Sequence, residues 1–183
     1  MYCGKWAIRL HDEDSMEDLK FSKEMRIALR DEDIDRISNL LSSHLARVNM
    51  VTPFGTWLHV ASRIGNLDVV KKLVQLGGDV NISAGTFETG PLNTAVSAGH
   101  LNVVQYFLSI GAEMDLSEPY RNPLFGAIYN GRLDIVKTLL HHGIDITVRY
   151  TGEKMKDMNA LGYAQSLERL EIADFLTKWM QEN

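Results

Sequence analysis

The stretch that decides the fold is GTWLHVASRIGNLDVVKKLVQLGGDVN, residues 55–81. It begins with small and apolar residues, has a glycine near its middle at Gly65, and continues as a leucine- and valine-rich run that closes on Gly-Gly-Asp-Val-Asn. Leucine and valine recur at the i, i+3 and i+4 spacing of a helix with one buried face. The stretch therefore predicts two short helices joined by a glycine turn.

The same pattern returns three times along the chain. It reads TGPLNTAVSAGHLNVVQYFLSIGAEMD from residue 89, RNPLFGAIYNGRLDIVKTLLHHGIDI from residue 121 and, more loosely, MNALGYAQSLERLEIADFLTKWMQEN from residue 158. Self-similarity at a period of about 20 to 50 residues is the signature of repeat architectures. An upstream segment, MRIALRDEDIDRISNLLSSHLARVN from residue 25, keeps Ala28 and the apolar positions but has no glycines. We interpret it as a degenerate first repeat.

The units share their small residues as well as their apolar ones. An alanine follows the first leucine of each unit by three residues, a glycine turn separates the helices, and a second glycine ends the longer helix where a left-handed residue is needed. These positions are Ala61, Ala95, Ala127 and Ala164, then Gly65, Gly99 and Gly131, then Gly77, Gly111 and Gly143. In the last unit Glu168 and Arg169 replace the glycine turn. No unit can bury its apolar face alone, so we expect stability to come from stacking on neighbours.

The motifs GTWLHVAS, GNLDVV and GGDVN, and GPLNTAVSAGHLNVV with GAEMD, resemble ankyrin repeats over about residues 22–180. The resemblance implies an all-α repeat solenoid of about five ankyrin-like helix-turn-helix units with projecting turns. It implies an N-terminal extension over residues 1–21 and an ankyrin-repeat domain over residues 22–183. The units are expected at residues 22–51, 52–84, 85–116, 117–150 and 151–183.

The chain departs from the ankyrin pattern at a few positions. His59 resembles the family's histidine that ties a turn to its neighbour by hydrogen bonds, whereas Asn93 and Phe125 stand where that histidine is expected. Trp57 replaces a proline at a helix start. It is interpreted either as an anchor on the concave face or as a filler against the first unit.

Charge and composition exclude several classes of function. The chain carries 24 acidic and 19 basic residues, for a net charge of −5, so no broad positive field attracts nucleic acid. A single cysteine, Cys3, cannot form an internal disulfide, and no apolar run approaches the roughly 20 residues that span a bilayer. The N-terminal stretch lacks the features of a secretory signal. We therefore expect a cytoplasmic protein without nucleic-acid or membrane partners.

Catalytic and metal-binding constellations are not evident in the sequence. None of the six histidines has a second ligand-type residue at metal-like spacing. The acidic runs at residues 11–14 and 31–35 offer carboxylates for a cation, but carboxylates near helix N-termini also favour the helix dipole, and Ser15 with Asp18 looks like a capping box. We predict no enzyme activity, no catalytic or metal-binding residues and no cofactor.

The resemblance places partner contacts on the projecting turns and on the ends of the first helices, where Pro53, Thr86 and Ser97 also lie. These positions are rich in aromatic and arginine side chains, which are over-represented among binding hot spots. The predicted contacts are Phe54, Trp57, Arg63, Phe87, Glu88, Tyr120, Arg121 and Tyr129, together with Arg149, Tyr150, Lys154 and Lys156 of the long connection 145–158. That connection is either a basic loop that meets an acidic partner or a solvated hairpin.

The function that fits these features is non-enzymatic binding of a partner protein by a monomer, on its concave face. RYTGEKMKDM before the last unit is similar to short bacterial ankyrin proteins, some of them immunity partners of secreted toxins, so the more specific expectation is an inhibitor or toxin-immunity protein. The alternative is a structural or assembly scaffold that self-associates. An enzyme with its site in the first 50 residues is the rival from another class, but His11, His44 and Cys3 lack partners at useful spacing.

Overall fold

The computed structural model describes residues 13–152 and 155–182 and consists mainly of helices. Within these residues ten α-helices follow one another as five consecutive pairs. The pairs are α1 Glu13–Arg30 and α2 Ile34–Ser42, α3 Trp57–Ile64 and α4 Leu67–Gln75, α5 Pro91–Ala98 and α6 Leu101–Ser109, α7 Pro123–Tyr129 and α8 Leu133–His141, and α9 Ala160–Ser166 and α10 Leu170–Glu182. A short 3-10 helix, Leu45–Arg47, follows α2, and two strands, β1 Tyr150–Gly152 and β2 Met155–Met158, form an antiparallel hairpin before α9.

The helices form two layers. Each first helix (α1, α3, α5, α7, α9) contacts the first helix of the next pair, and each second helix (α2, α4, α6, α8, α10) likewise contacts the next second helix. The predicted all-α repeat solenoid of about five helix-turn-helix units is therefore confirmed, with one small hairpin inserted before the last unit. The second to fifth pairs lie inside the intervals 52–84, 85–116, 117–150 and 151–183.

The core runs between the two layers along the stack. Alanines at the centres of the first helices, such as Ala61 and Ala95, are fully buried and let neighbouring helices approach closely. Each second helix contributes an apolar stripe at helical spacing, for example Val69, Val70 and Leu73 of α4, all of them buried. Replacing such a leucine by alanine removes buried area and leaves a cavity, at a cost of about 2–5 kcal/mol.

The glycine turns have a steric as well as a conformational reason. Gly65 adopts φ +88° and Gly99 φ +80°, the left-handed region that costs other residues energy. A Cβ built on Gly65 would overlap the ring of His100, because that ring reaches back from the next unit to the Arg63 carbonyl, 3.0 Å from Nε2. The turn glycine is therefore required both for its own backbone and for the close approach of the following unit.

The N-terminal end of the chain packs onto the repeats more closely than the sequence predicts. Helix α1 runs unbroken across the boundary predicted after residue 21, and Ser15 lies within this helix rather than directly before it. Phe21 is buried and meets the Trp57 ring edge-on, with ring centroids 6.0 Å apart. Asp18 pairs with Arg47 at 2.9 Å. Described residues up to 21 thus belong to the first unit, whereas Cys3 and His11 lie outside the described residues.

None of the helices described above combines the length and the apolar composition that crossing a bilayer requires.

Candidate functional site

Two projecting turns carry exposed aromatic side chains. In the turn before α3, the Thr52 hydroxyl donates to the Gly55 carbonyl (2.8 Å) and accepts the Phe54 N–H (3.1 Å), which shapes a tight loop with Phe54 at its tip. In the turn before α5, Ala84 and Thr89 pair as an isolated antiparallel bridge, with Phe87 at the tip. Phe54 is 52% exposed and Phe87 is 67% exposed. Side chains of this size at such exposure add little to the fold.

The two turns and the helices behind them enclose a groove of about 470 Å³, which we name the finger groove. Its walls are the turns, with Phe54 on one and Phe87 on the other, and its floor is the exposed side of α3 and α5. The described residues that line it are Pro53, Phe54, His59, Arg63, Ala84, Gly85, Thr86, Phe87, Thr89, Thr94, Ser97 and Ala98. Apolar walls with a few polar groups are typical of recognition sites of this volume.

His59 joins the two sides of the groove through its ring. Nδ1 accepts the Thr56 N–H (3.1 Å), so Nε2 carries the proton and donates to the Thr89 carbonyl (2.7 Å). This link across units is the one predicted for His59. Burial lowers the pKa of His59 below its ordinary value of 6.5, with the charge of nearby Arg63 as a smaller cause. The histidine is therefore neutral at neutral pH and acts as a strut.

Arg63 carries the only full charge among the described residues that line the finger groove. It lies one helical turn after His59 on α3 and is exposed. No ion pair of the described residues includes its side chain. The floor of the groove therefore presents a cation that remains available to a ligand.

The next turn brings together three of the predicted contacts. Arg121 pairs with Glu88 at 3.0 Å and with Asp115 at 3.5 Å, and its guanidinium lies 5.9 Å from the centre of the Tyr120 ring. Glu88 itself adopts φ +48°, an unusual conformation for a residue other than glycine. The pairing ties the second projecting turn to the third and neutralises Glu88, while Tyr120 stays 55% exposed.

Two of the predicted contact residues belong to the core, and the prediction is corrected for them. Trp57 is fully buried and its indole N–H donates to the Arg47 carbonyl (2.9 Å), so it is the filler against the first unit. Tyr150 is 9% exposed and meets Phe125 edge-to-face, with centroids 4.9 Å apart. Burial also raises the pKa of Tyr150 above its usual value. Both side chains pack into the core, and neither is accessible to a partner.

The remaining predicted contacts lie away from the finger groove. Tyr129 is exposed at the end of α7. Arg149 pairs with Asp157 across the hairpin (2.8 Å), which neutralises its charge, and Lys156 is exposed on β2. Lys154 lies outside the described residues. The structure thus brings together Phe54, Arg63 and Phe87 in one groove, beside the linked group of Glu88, Tyr120 and Arg121, but not the residues of the hairpin.

Sequence reasoning missed part of the groove floor. Thr94 and Ala98 line the groove from α5, next to Ser97, which the resemblance indicated. Thr94 lies three residues before Ser97 and four before Ala98, so helical spacing alone was a sufficient signal for this face. The pairing of Glu88 with Arg121 joins residues 33 positions apart, and no local pattern predicts it.

Metal-binding geometry is not found within residues 13–152 and 155–182. No three histidine, cysteine, aspartate or glutamate side chains of this part of the chain are grouped so that they could hold a metal ion. The acidic residues 31–35 lie at the end of α1 and the start of α2, where Asp33 accepts the Arg36 N–H (2.9 Å) as an N-cap. Asp33 therefore caps a helix, while Asp31 pairs with Arg30 (2.9 Å) and Glu32 accepts from the Asn66 side chain (2.6 Å).

Comparison with known families agrees with this geometry. The family described as "Ankyrin repeats (3 copies)" matches residues 25–118 and again residues 58–150. These matches cover more than half of the chain, and the chain belongs to the ankyrin-repeat family. Ankyrin repeats are general protein-interaction modules and are typically non-catalytic.

The chain is also similar to segments of individual ankyrin-repeat proteins. It is 30% identical over 111 residues to alpha-latrocrustotoxin-Lt1a of Latrodectus tredecimguttatus, covering 60% of this chain and 8% of that protein. It is 27% identical over 172 residues to the ankyrin repeat and KH domain-containing protein mask-1 of Caenorhabditis elegans, covering 76% and 6%. It is 32% identical over 88 residues to protein phosphatase 1 regulatory subunit 27 of Mus musculus, covering 48% and 56%. The chain spans less than a tenth of the first two relatives and about half of the third.

Proposed function

We propose that this chain binds a partner protein on the face formed by the projecting turns and the first helices. This is the face that the resemblance to ankyrin repeats predicts to be concave. The observation that carries the proposal is the finger groove, whose walls end in Phe54 and Phe87. Both aromatic rings are exposed while the core behind them is complete. A buried aromatic side chain covers about 150–250 Å². Burial of the two rings against a partner would therefore stabilise the complex, whereas the exposed rings add little to the stability of the free chain.

A pull-down with immobilised protein tests this proposal. The full chain and the double variant Phe54→Ala/Phe87→Ala are compared for the proteins they retain from a lysate of the source cells. We expect specific partners to be retained by the wild-type chain and lost by the double variant. Ile110→Ala, which truncates an exposed apolar side chain at the end of α6, is the matched control and should retain them. Retention that survives the double variant would contradict the proposal.

A finer form of the proposal is that binding inhibits an enzyme, with neutralisation of a toxin as one case. It is supported by the similarity to a relative named as a regulatory subunit of protein phosphatase 1. In this form the chain reduces the activity of its captured partner when both are mixed, and co-expression protects cells from a genetically linked toxin. A partner that keeps full activity at saturating amounts of the chain rules the inhibitor form out and leaves binding itself intact.

We further propose that the free chain is a cytoplasmic monomer that uses no cofactor, catalyses no reaction and binds neither nucleic acid nor membranes. Its net charge of −5 supports the nucleic-acid part of this proposal. The alternative is a scaffold that self-associates, which the same exposed residues Phe54, Phe87 and Tyr120 favour, since a second copy would bury them. Light scattering at working concentration distinguishes the two: a monomeric mass supports the module, and a concentration-dependent dimer supports the scaffold.

A further inference from the structure

We propose that the finger groove binds an extended acidic segment of the partner, in which a carboxylate lies near a large apolar side chain. This inference rests on the proposed protein-binding function and names the chemistry of the bound segment. The apolar side chain lies between Phe54 and Phe87, and the carboxylate pairs with Arg63.

The charge of the groove selects the sign of the ligand. Arg63 is exposed, lies in no ion pair of the described residues, and is the only fully charged residue that the described lining contains. Its neighbour His59 is held neutral by burial, and its Nδ1 accepts the Thr56 N–H. A guanidinium matches a carboxylate in geometry and can donate two parallel hydrogen bonds to it.

Two acidic side chains of the second and third projecting turns pair with Arg121. Glu88 follows Phe87 directly but pairs with Arg121 (3.0 Å). Asp115 accepts the Ser117 N–H (2.8 Å) and lies 3.5 Å from the same arginine. Hydrogen bonds from Ser117 and then the charge of Arg121 hold the pKa of Asp115 below its usual value, so it stays ionised in that pairing. The local acids are thereby kept out of the groove, although the chain as a whole is acidic.

The apolar part of the groove sets the rest of the ligand. Pro53 and Phe54 form one wall, Ala84 and Phe87 the other, and Ala98 lies on the floor. Thr94 and Ser97 add hydroxyl groups there that can bond to the backbone of a bound segment. A groove of about 470 Å³ holds a few side chains rather than a domain. One arginine in a chain of net charge −5 does not form the basic track that a phosphate backbone needs.

Selection from a library of random peptides tests the inference. Short peptides displayed on phage are selected on the full wild-type chain, on Arg63→Gln and on Arg63→Glu. The groove holds only a few side chains, and an extended chain advances about 3.3 Å per residue. The expected peptides therefore carry Asp or Glu within about two residues of a large apolar residue. The affinity of the best synthetic peptide should fall about tenfold on Arg63→Gln, since a charge-assisted hydrogen bond is lost. Arg63→Glu should reverse the preference toward Lys and Arg.

Lys178→Gln is the matched control, because it removes one positive charge from the exposed side of α10, far along the chain from the groove. It should leave the peptide affinity unchanged. Circular dichroism of each variant verifies folding. Because the Arg63 side chain is exposed, its substitution should leave the fold intact.

The outcomes separate this inference from the proposed function. Selected peptides that show no acidic preference, or whose affinity tolerates Arg63→Gln, overturn the inference and leave partner binding on this face standing. A selection that enriches no peptide also overturns it, because a preformed groove of this chemistry should capture some. The pull-down with the Phe54→Ala/Phe87→Ala variant judges the proposed function independently of either result.

Discussion

At the scale of single residues, one repeat position shows three solutions to the same structural problem. His59 donates to the Thr89 carbonyl and so links its helix to the following turn. In the next unit Asn93 donates to a backbone carbonyl of the turn that follows it. In the unit after that, Phe125 has no polar group and instead stacks on Tyr163, with centroids 4.9 Å apart. The link between units persists while its chemistry changes from a hydrogen bond to ring packing.

The buried link of His59 predicts a pH-dependent stability. Because burial lowers the pKa of the folded-state histidine below 6.5, the unfolded chain binds the proton more readily. The contribution is therefore complete above pH 6.5 and is lost as the pH falls from there toward the folded-state pKa. Urea unfolding across this range should show a falling midpoint for the wild-type chain and a smaller fall for His59→Asn, the residue of the next unit. An equal fall of the midpoint in the two proteins would contradict the assignment. His142→Asn, at an exposed position, is the control and should behave like the wild-type chain.

Glu168 occupies the turn position that is glycine in the central units, and it adopts φ +56°. A left-handed conformation costs an L-residue about 1–2 kcal/mol, part of which the greater flexibility of an unfolded glycine offsets. Glu168→Gly should therefore raise the free energy of unfolding by about 0.5–1 kcal/mol. Gln165→Gly in α9 is the control and should lower it by about 1 kcal/mol. A destabilised Glu168→Gly chain would show that the side chain makes a contribution larger than the strain.

At the scale of elements, the hairpin is anchored to the stack through Tyr150 at the start of β1. Its hydroxyl donates to the Leu116 carbonyl (2.7 Å) and accepts from the Asn122 side chain (3.1 Å). Asn122 is fully buried and caps α7 by accepting the Leu124 N–H (2.9 Å). One tyrosine thus joins the hairpin, a projecting turn and a helix cap.

The anchor can be weakened without changing packing volume. Tyr150→Phe leaves a buried amide and a carbonyl without their partner, which costs about 1–3 kcal/mol of unfolding free energy. Tyr129→Phe, at an exposed position, is the matched control and should have almost no effect. Chemical denaturation of the three proteins measures both. An unchanged midpoint for Tyr150→Phe would mean that water replaces the hydroxyl and that the hairpin is not held through it.

At the scale of the whole molecule, the residues that stabilise the stack differ from the residues that are exposed for binding. Within each layer every helix contacts the corresponding helix of the next unit. Stability follows from these nearest-neighbour contacts. The exposed rings of the projecting turns lie outside that core. Substitutions in the two groups should therefore change different properties.

Ala95→Leu and Phe87→Ala test this separation. Ala95 is fully buried at the centre of α5, and α5 contacts both α3 and α7, so a larger side chain should cost about 1–3 kcal/mol of stability. Phe87→Ala should leave thermal unfolding almost unchanged and weaken partner binding by about 1 kcal/mol or more, and Tyr120→Ala should behave in the same way. If the tip variants instead lower the melting temperature and spare binding, these rings contribute to turn packing.

The sequence by itself determined the repeat architecture, because the alanines, leucines and turn glycines recur in register and each obeys a local rule of helix packing or backbone conformation. It also indicated which turns project. Only the tertiary structure decided which side chains of those turns are accessible. The sequence pattern predicted Trp57 and Tyr150 as contacts with a partner, but both are buried. Arg63, in contrast, faces a groove that two separate units build. Burial and pairing depend on neighbours about thirty residues away along the chain, and a stacked repeat brings such residues together only once its units have folded against one another.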